Sequence, residues 1–106
     1  MNAQTEVSQA QMATAAEEAS NLMRALSNPS RLLLLCQLVE AERTVGEMEA
    51  ALGLGQAYVS QQLARLRDEG LVAATREGRQ MRYRLADSRV APVIATIYDQ
   101  FCPAVG

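Results

Sequence analysis

Between residues 12 and 26 apolar residues return at helical spacing: Ala15, Ala16, Ala19, Leu22, Met23 and Leu26. The pattern predicts a first helix from Met12 to about Leu26. Its small-residue face suits close packing on a core or on a second copy of the chain. Residues 1–11 are polar and are expected to be frayed. Asn28 and Pro29 mark a boundary, because Asn caps helices well and Pro suits the first helical position. The second helix is expected from Pro29 to about Glu42. Leu32, Leu35, Cys36 and Val39 share one stripe, and Leu33, Leu34 and Leu38 widen it, which is the pattern of a central helix. Thr44 and Glu47 have the spacing of a capping box. They predict a short third helix, Val45 to Leu52, with Met48, Ala51 and Leu52 turned inward.

Gly53-Leu54-Gly55 then interrupts the chain. Val59, Leu63 and Leu66 follow at i, i+4 and i+7, so a fourth helix is expected from Gln56 to Glu69. Gly70 suits a left-handed stop. Two helices joined by a short glycine-containing turn form a helix-turn-helix. Beyond Gly70 the period changes. Val72–Arg76 reads as a strand, and Met81, Tyr83 and Leu85 alternate with Gln80, Arg82 and Arg84 in a second. Glu77-Gly78-Arg79 supplies the hairpin turn. A last helix is expected after Ser88, with Pro92 in its first turn and Pro103 at its end. Val90, Val93, Ile94, Ile97, Phe101 and Cys102 form its apolar stripe, with Tyr98 beside it. The chain is therefore mostly α, a single domain over residues 1–106, in the order α-α-α-α-β-β-α. So apolar a terminal helix calls for a partner, and a dimer seam with the first helix is the economical one.

Composition alters this picture little. The 106 residues are 49% hydrophobic and 21% charged, ordinary for a soluble globular domain. The longest purely apolar run, Leu32–Cys36, is far short of a membrane span. The start of the chain lacks a basic segment followed by an apolar run, so a cytoplasmic protein without a signal peptide is expected. Charge distribution is more informative than the net −2. Residues 1–54 hold three Arg and seven acids, whereas residues 55–89 hold seven Arg and four acids. The positive segment coincides with the fourth helix and the hairpin. All ten basic residues are Arg, which a GC-rich coding bias explains as well as phosphate binding does. The chain has no His, which removes imidazole as metal ligand, general base and pH switch. No nucleophile–base pair, phosphate loop or metal cluster is present, so neither an enzyme nor a cofactor is expected.

Candidate chemistry lies on the exposed side of the fourth helix. Gln56, Ala57, Tyr58, Ser60, Gln61, Ala64 and Arg65 stand there. Small residues allow close approach, amides and a hydroxyl suit base edges, and Arg can fork onto guanine or phosphate. An ordinary solvated face has the same composition. On the hairpin, Arg76, Arg79, Arg82 and Arg84 suit a wing that grips phosphates. Charges that protect a strand edge are the competing reading.

SNPSRLLLLCQL, TVGEMEAALGL, GQAYVSQQLARLRDEGLV and REGRQMRYRL, in this order and spacing, resemble the ArsR/SmtB winged-helix repressors. The resemblance spans roughly Leu22 to Cys102. It implies a winged helix-turn-helix that dimerises through its first and last helices and binds palindromic double-stranded operator DNA. Many members read His where this chain has Gln62, and Ser where it has Ala57. The family's usual metal sites, a Cys-x-Cys in the third helix or Asp/His ligands on the last, are missing here.

Cys36 and Cys102 instead resemble the pair of the persulfide-sensing subgroup of the SqrR, BigR and HlyU type. That resemblance implies two thiols bridged by low-molecular-weight persulfides or polysulfides, with release of sulfide-response promoters. Taken alone, Cys36 on its apolar stripe reads as core packing. A cytosolic cysteine pair is more often a redox sensor than a structural bridge. Peroxide or a thiophilic metalloid is an alternative inducer. A dimeric module whose basic face meets an acidic protein is an alternative of another class.

Overall fold

Ser8 opens the first helix earlier than the apolar stripe suggests. In the computed structural model, which describes residues 8–102, helix α1 runs Gln9–Leu26. The Ser8 side chain accepts from the Gln11 N–H at 3.1 Å, and Gln11 accepts from the Ser8 N–H at 2.9 Å. This capping box satisfies two donors that a helix start leaves open. The fraying expected for residues 1–11 therefore does not hold for residues 8–11, and residues 1–7 lie outside the described part.

Helix α2 runs Pro29–Glu40 and ends two residues before the expected Glu42. Asn28 Oδ1 accepts from the N–H groups of Ser30 and Arg31, and Pro29 takes the first position. The buried face of α2 is Leu34, Leu35 and Leu38, rather than the stripe through Leu32 and Val39; Cys36 is half-buried and Val39 exposed. Strand β1, Arg43–Thr44, is an element the sequence pattern did not reveal. Two residues are too few to show a period. Helix α3, Val45–Leu52, begins with the expected Thr44–Glu47 box and buries Met48, while Ala51 is exposed rather than inward. Gly53 ends it at φ +67°, a conformation glycine adopts without a Cβ clash.

Helix α4 spans Gln56–Asp68 with Glu69 as its cap, and Gly70 takes the expected left-handed turn at φ +77°. Strands β2, Val72–Glu77, and β3, Gln80–Leu85, pair antiparallel from Val72↔Leu85 to Glu77↔Gln80. Strand β1 adds to the other edge of β3 through Arg43↔Tyr83 and Thr44↔Arg82. The sheet is thus three-stranded, in the order β1-β3-β2. Helix α5 spans Val90–Phe101. Its N-cap is Arg89 rather than Ser88, with no side-chain cap; Asp87 Oδ1 accepts from the Arg89 N–H at 2.9 Å just before it. Pro103 lies outside the described residues.

Leu34, Leu35, Met48, Val59, Leu63, Leu66 and Val90 are fully enclosed. Each such side chain contributes about 1.5–3 kcal/mol through burial. This core fixes α4 against α2 and α3 and leaves its outer face free. Helix α1 contributes only Ala25 to the buried set. Met12 and Met23 on α1, and Tyr98 and Phe101 on α5, are exposed large apolar side chains.

Candidate nucleic-acid interface and thiol pair

Helix α4 is set by three apolar anchors and one amide. Val59, Leu63 and Leu66 are inaccessible, and Gln62 is 7% exposed. Gln62 therefore stands on the docked side of α4, away from the outer face. Its Oε1 accepts from Arg31 Nη1 at 3.3 Å. The same guanidinium donates from Nε to the Ala25 carbonyl at 2.8 Å and from Nη2 to the Arg24 carbonyl at 3.3 Å. Arg31 thus joins α2, the last turn of α1 and α4. A cation suits the negative end of a helix. The sequence pattern did not single out Arg31. The available signal was its place just after a Pro29 boundary, where the chain doubles back on the preceding helix.

The outer face of α4 carries Gln56, Ala57, Tyr58, Gln61, Ala64 and Arg65, all exposed, with Ser60 half-buried. These residues form one continuous surface. Gly55 supplies no capping side chain, so the first N–H groups of α4 have no side-chain partner. A helix start in this state accepts an anion readily.

The hairpin does not present its arginines alike. In the β2–β3 register Arg76 faces with Met81, whereas Arg82 and Arg84 share the opposite pleat face with Thr75 and Glu77. Arg79 in the turn is exposed and has no hydrogen bond or ion pair among the described residues. Arg76 Nη1 donates to the Gly78 carbonyl at 3.3 Å, and Arg84 Nη1 to Thr75 Oγ1 at 2.7 Å. Arg82 is the most engaged. Its Nε and Nη2 donate to the two carboxylate oxygens of Glu77 at 2.8 and 3.0 Å.

Both thiols are free, Cys36 half-buried and Cys102 exposed. Cys36, Val39 and Glu40 of α2 face Ile94, Ala95, Tyr98 and Asp99 of α5 across a cavity of about 410 Å³. Cys102 caps the end of α5, its N–H donating to the Tyr98 carbonyl at 2.9 Å. The Cys36 thiol is pushed above its ordinary pKa, first by burial, then by the charge of Cys102 and of Glu40. Among the described residues no three His, Cys, Asp or Glu side chains gather as a metal site, and no helix is long and apolar enough to cross a membrane.

Comparison with known proteins gives this geometry a family. Residues 28–74 match the pattern described as bacterial regulatory protein, arsR family. The biofilm growth-associated repressor of Xylella fastidiosa is 45% identical over 87 residues, covering 82% of this chain and 76% of that protein. The crystal structure of the transcriptional repressor BigR from Xylella fastidiosa superposes with a TM-score of 0.84 at 41% identity, over 92% of this chain and 99% of that one. A homodimeric winged helix-turn-helix DNA-binding domain from Mycobacterium bovis superposes with a TM-score of 0.73 at 31% identity, over 88% and 86% of the two chains. Five helices, a small antiparallel sheet and this likeness agree that the chain is a winged helix-turn-helix regulator rather than an enzyme, and it belongs to the ArsR family of bacterial regulatory proteins.

Proposed function

We propose that the protein is a homodimeric, cytoplasmic repressor of transcription that binds palindromic operator DNA and lets go when Cys36 and Cys102 are bridged by reactive sulfur. The observation that carries this reading is the placement of the thiols. Cys36 lines the α2–α5 cavity and Cys102 ends α5, so a bridge would tie the body that carries α4 to the helix expected at the dimer seam.

Exposed Met12, Met23, Tyr98 and Phe101 support pairing through α1 and α5, as does the homodimeric Mycobacterium bovis domain. In such a dimer the two α4 helices enter successive major grooves about 34 Å apart. Gln56, Ala57, Tyr58, Ser60 and Gln61 meet base edges there. Arg65, Arg76 and Arg79 meet phosphates. A modest rotation at the seam misplaces one half-site, and coupling of about 1–3 kcal/mol changes occupancy about 5–150-fold.

The inducing step is sulfur exchange. A persulfide transfers its outer sulfur to one cysteine and leaves as the carrier thiol. The second cysteine attacks the new protein persulfide, expels hydrogen sulfide and leaves a disulfide. When both cysteines are persulfidated first, the same displacement leaves a trisulfide. The transferred sulfur is the oxidant and ends as sulfide.

Intact mass and operator affinity, measured on the same reduced and persulfide-treated samples, test the proposal. Bridged protein is expected to lose affinity, and Cys36→Ser or Cys102→Ser is expected to bind DNA normally and ignore the inducer. Release of DNA by a variant lacking both thiols would overturn it. Equal release by peroxide or trivalent arsenic would reassign the inducer.

A further inference from the structure

We infer that Arg82 is a wing-positioning residue, pinning the β2–β3 hairpin to the start of α3, and not a phosphate ligand. This rests on the DNA-binding reading and separates Arg82 from the other wing arginines. Its guanidinium takes both oxygens of Glu77, at 2.8 and 3.0 Å. A paired fork of this kind is the strong, directional form of the interaction. Nη1 turns the other way, donating to the Glu42 carbonyl at 3.4 Å and lying 3.9 Å from Glu47 Oε1. That Glu47 oxygen also accepts from the Thr44 N–H at 2.7 Å in the box that starts α3.

Arg82 therefore stands between a wing carboxylate and the carboxylate that caps the helix-turn-helix. Its backbone is at the junction as well, opposite Thr44 on one side and Thr75 on the other. The side chain is 30% exposed, whereas its Glu77 partner is 60% exposed. A phosphate reaching Arg82 would meet Glu77 and Glu47 first. Arg79 has no such screen. Losing Arg82 leaves Glu47 and Glu77 facing each other across the groove between α3 and the hairpin, where like charges push the wing away.

Salt dependence of duplex binding separates the two roles. Removing one arginine that neutralises a phosphate flattens the slope of log affinity against log salt by about 0.9. Arg79→Ala is expected to flatten it by that amount. Arg82→Ala is expected to weaken binding, and in an Arg79→Ala background to flatten the slope by well under the roughly 0.9 of a lost phosphate contact. Amide exchange of the free protein supplies a readout independent of DNA. Arg82→Ala is expected to speed exchange in residues 76–81 and at Thr44–Glu47, and Arg79→Ala to leave both unchanged. A further flattening of about 0.9 on adding Arg82→Ala to Arg79→Ala, or an Arg82→Ala variant with native exchange rates, overturns the inference. Wild-type protein that fails to bind any duplex sinks the DNA reading, and the exchange data then judge the wing anchor alone.

Discussion

Arg31 Nη1 and Gln62 Oε1 lie 3.3 Å apart across 31 positions of sequence, joining α2 to the docked side of α4. The partly buried guanidinium has no carboxylate partner among the described residues and leans instead on the Ala25 and Arg24 carbonyls. Helix α4 is thereby held by the same residue that secures the end of α1.

Removal of this residue should be costlier than removal of its amide partner. Arg31→Met strands Gln62 and the Ala25 carbonyl, the Arg24 carbonyl keeping the Ser27 N–H and Oγ as donors, whereas Gln62→Met leaves Arg31 two of its three acceptors. Hydrogen bonds to charged groups contribute about 1.5–3 kcal/mol. Urea unfolding is expected to place Arg31→Met in that range and Gln62→Met well below it. A double variant that simply adds the two losses would show that the pair carries no coupling.

Base reading and phosphate gripping should separate by measurement. Gln61→Ala is expected to lose about 1–3 kcal/mol of discrimination between operator and mismatched duplex. Arg65→Ala should instead weaken every duplex alike and flatten the salt slope by about 0.9. Competition titrations at several salt concentrations report both quantities.

How far these roles were legible beforehand differs by residue. Val59, Leu63 and Leu66 announced the docked side of α4 because a helix returns to the same face every turn. Met81, Tyr83 and Leu85 announced β3 for the equivalent reason in a strand. Arg82 was another matter: alternation placed it outward, yet its Glu77 partner lies across the hairpin, and Glu47 and Glu42 belong to another part of the chain. Local pattern assigns a side chain to a face; its partners come from tertiary packing. Strand β1 escaped for want of length, and the actual inward face of α2 was masked by its run of leucines.

The thiol of Cys36 should be sluggish at neutral pH. Burial, the Cys102 charge and Glu40 all raise its pKa, and the thiolate is the reactive form. Below that raised pKa, its alkylation rate should climb about tenfold per pH unit. Cys102→Ser removes one of the raising causes, so the Cys36 profile should move to lower pH. Alkylation followed by peptide mass spectrometry checks this, and an unmoved profile would show that the two thiols do not sense one another.

Dimerisation through α1 and α5 predicts an asymmetry between assembly and folding. Phe101 is 81% exposed and Met23 61% exposed in the single chain. For a monomer, Phe101→Glu would change stability by no more than about 0.5 kcal/mol, as surface changes do. For the proposed dimer it should split the assembly, lowering the melting temperature and removing its dependence on concentration. Sedimentation velocity together with thermal melts at two concentrations distinguishes the cases.

Strand β1 reaches β3 only at Tyr83 and Arg82, while β2 and β3 stay paired out to Glu77 and Gln80. The hairpin is therefore a cantilever, braced at its root by β1 and as far out as Glu77 by the Arg82 fork. Any bending would fall to the turn beyond Glu77 and carry Arg79 with it, while α4 keeps its aim. In the proposed complex an operator would then meet a strict geometry at the bases facing α4 and a forgiving one where the wing tip lands, so that grooves of differing width could be met by the same tip.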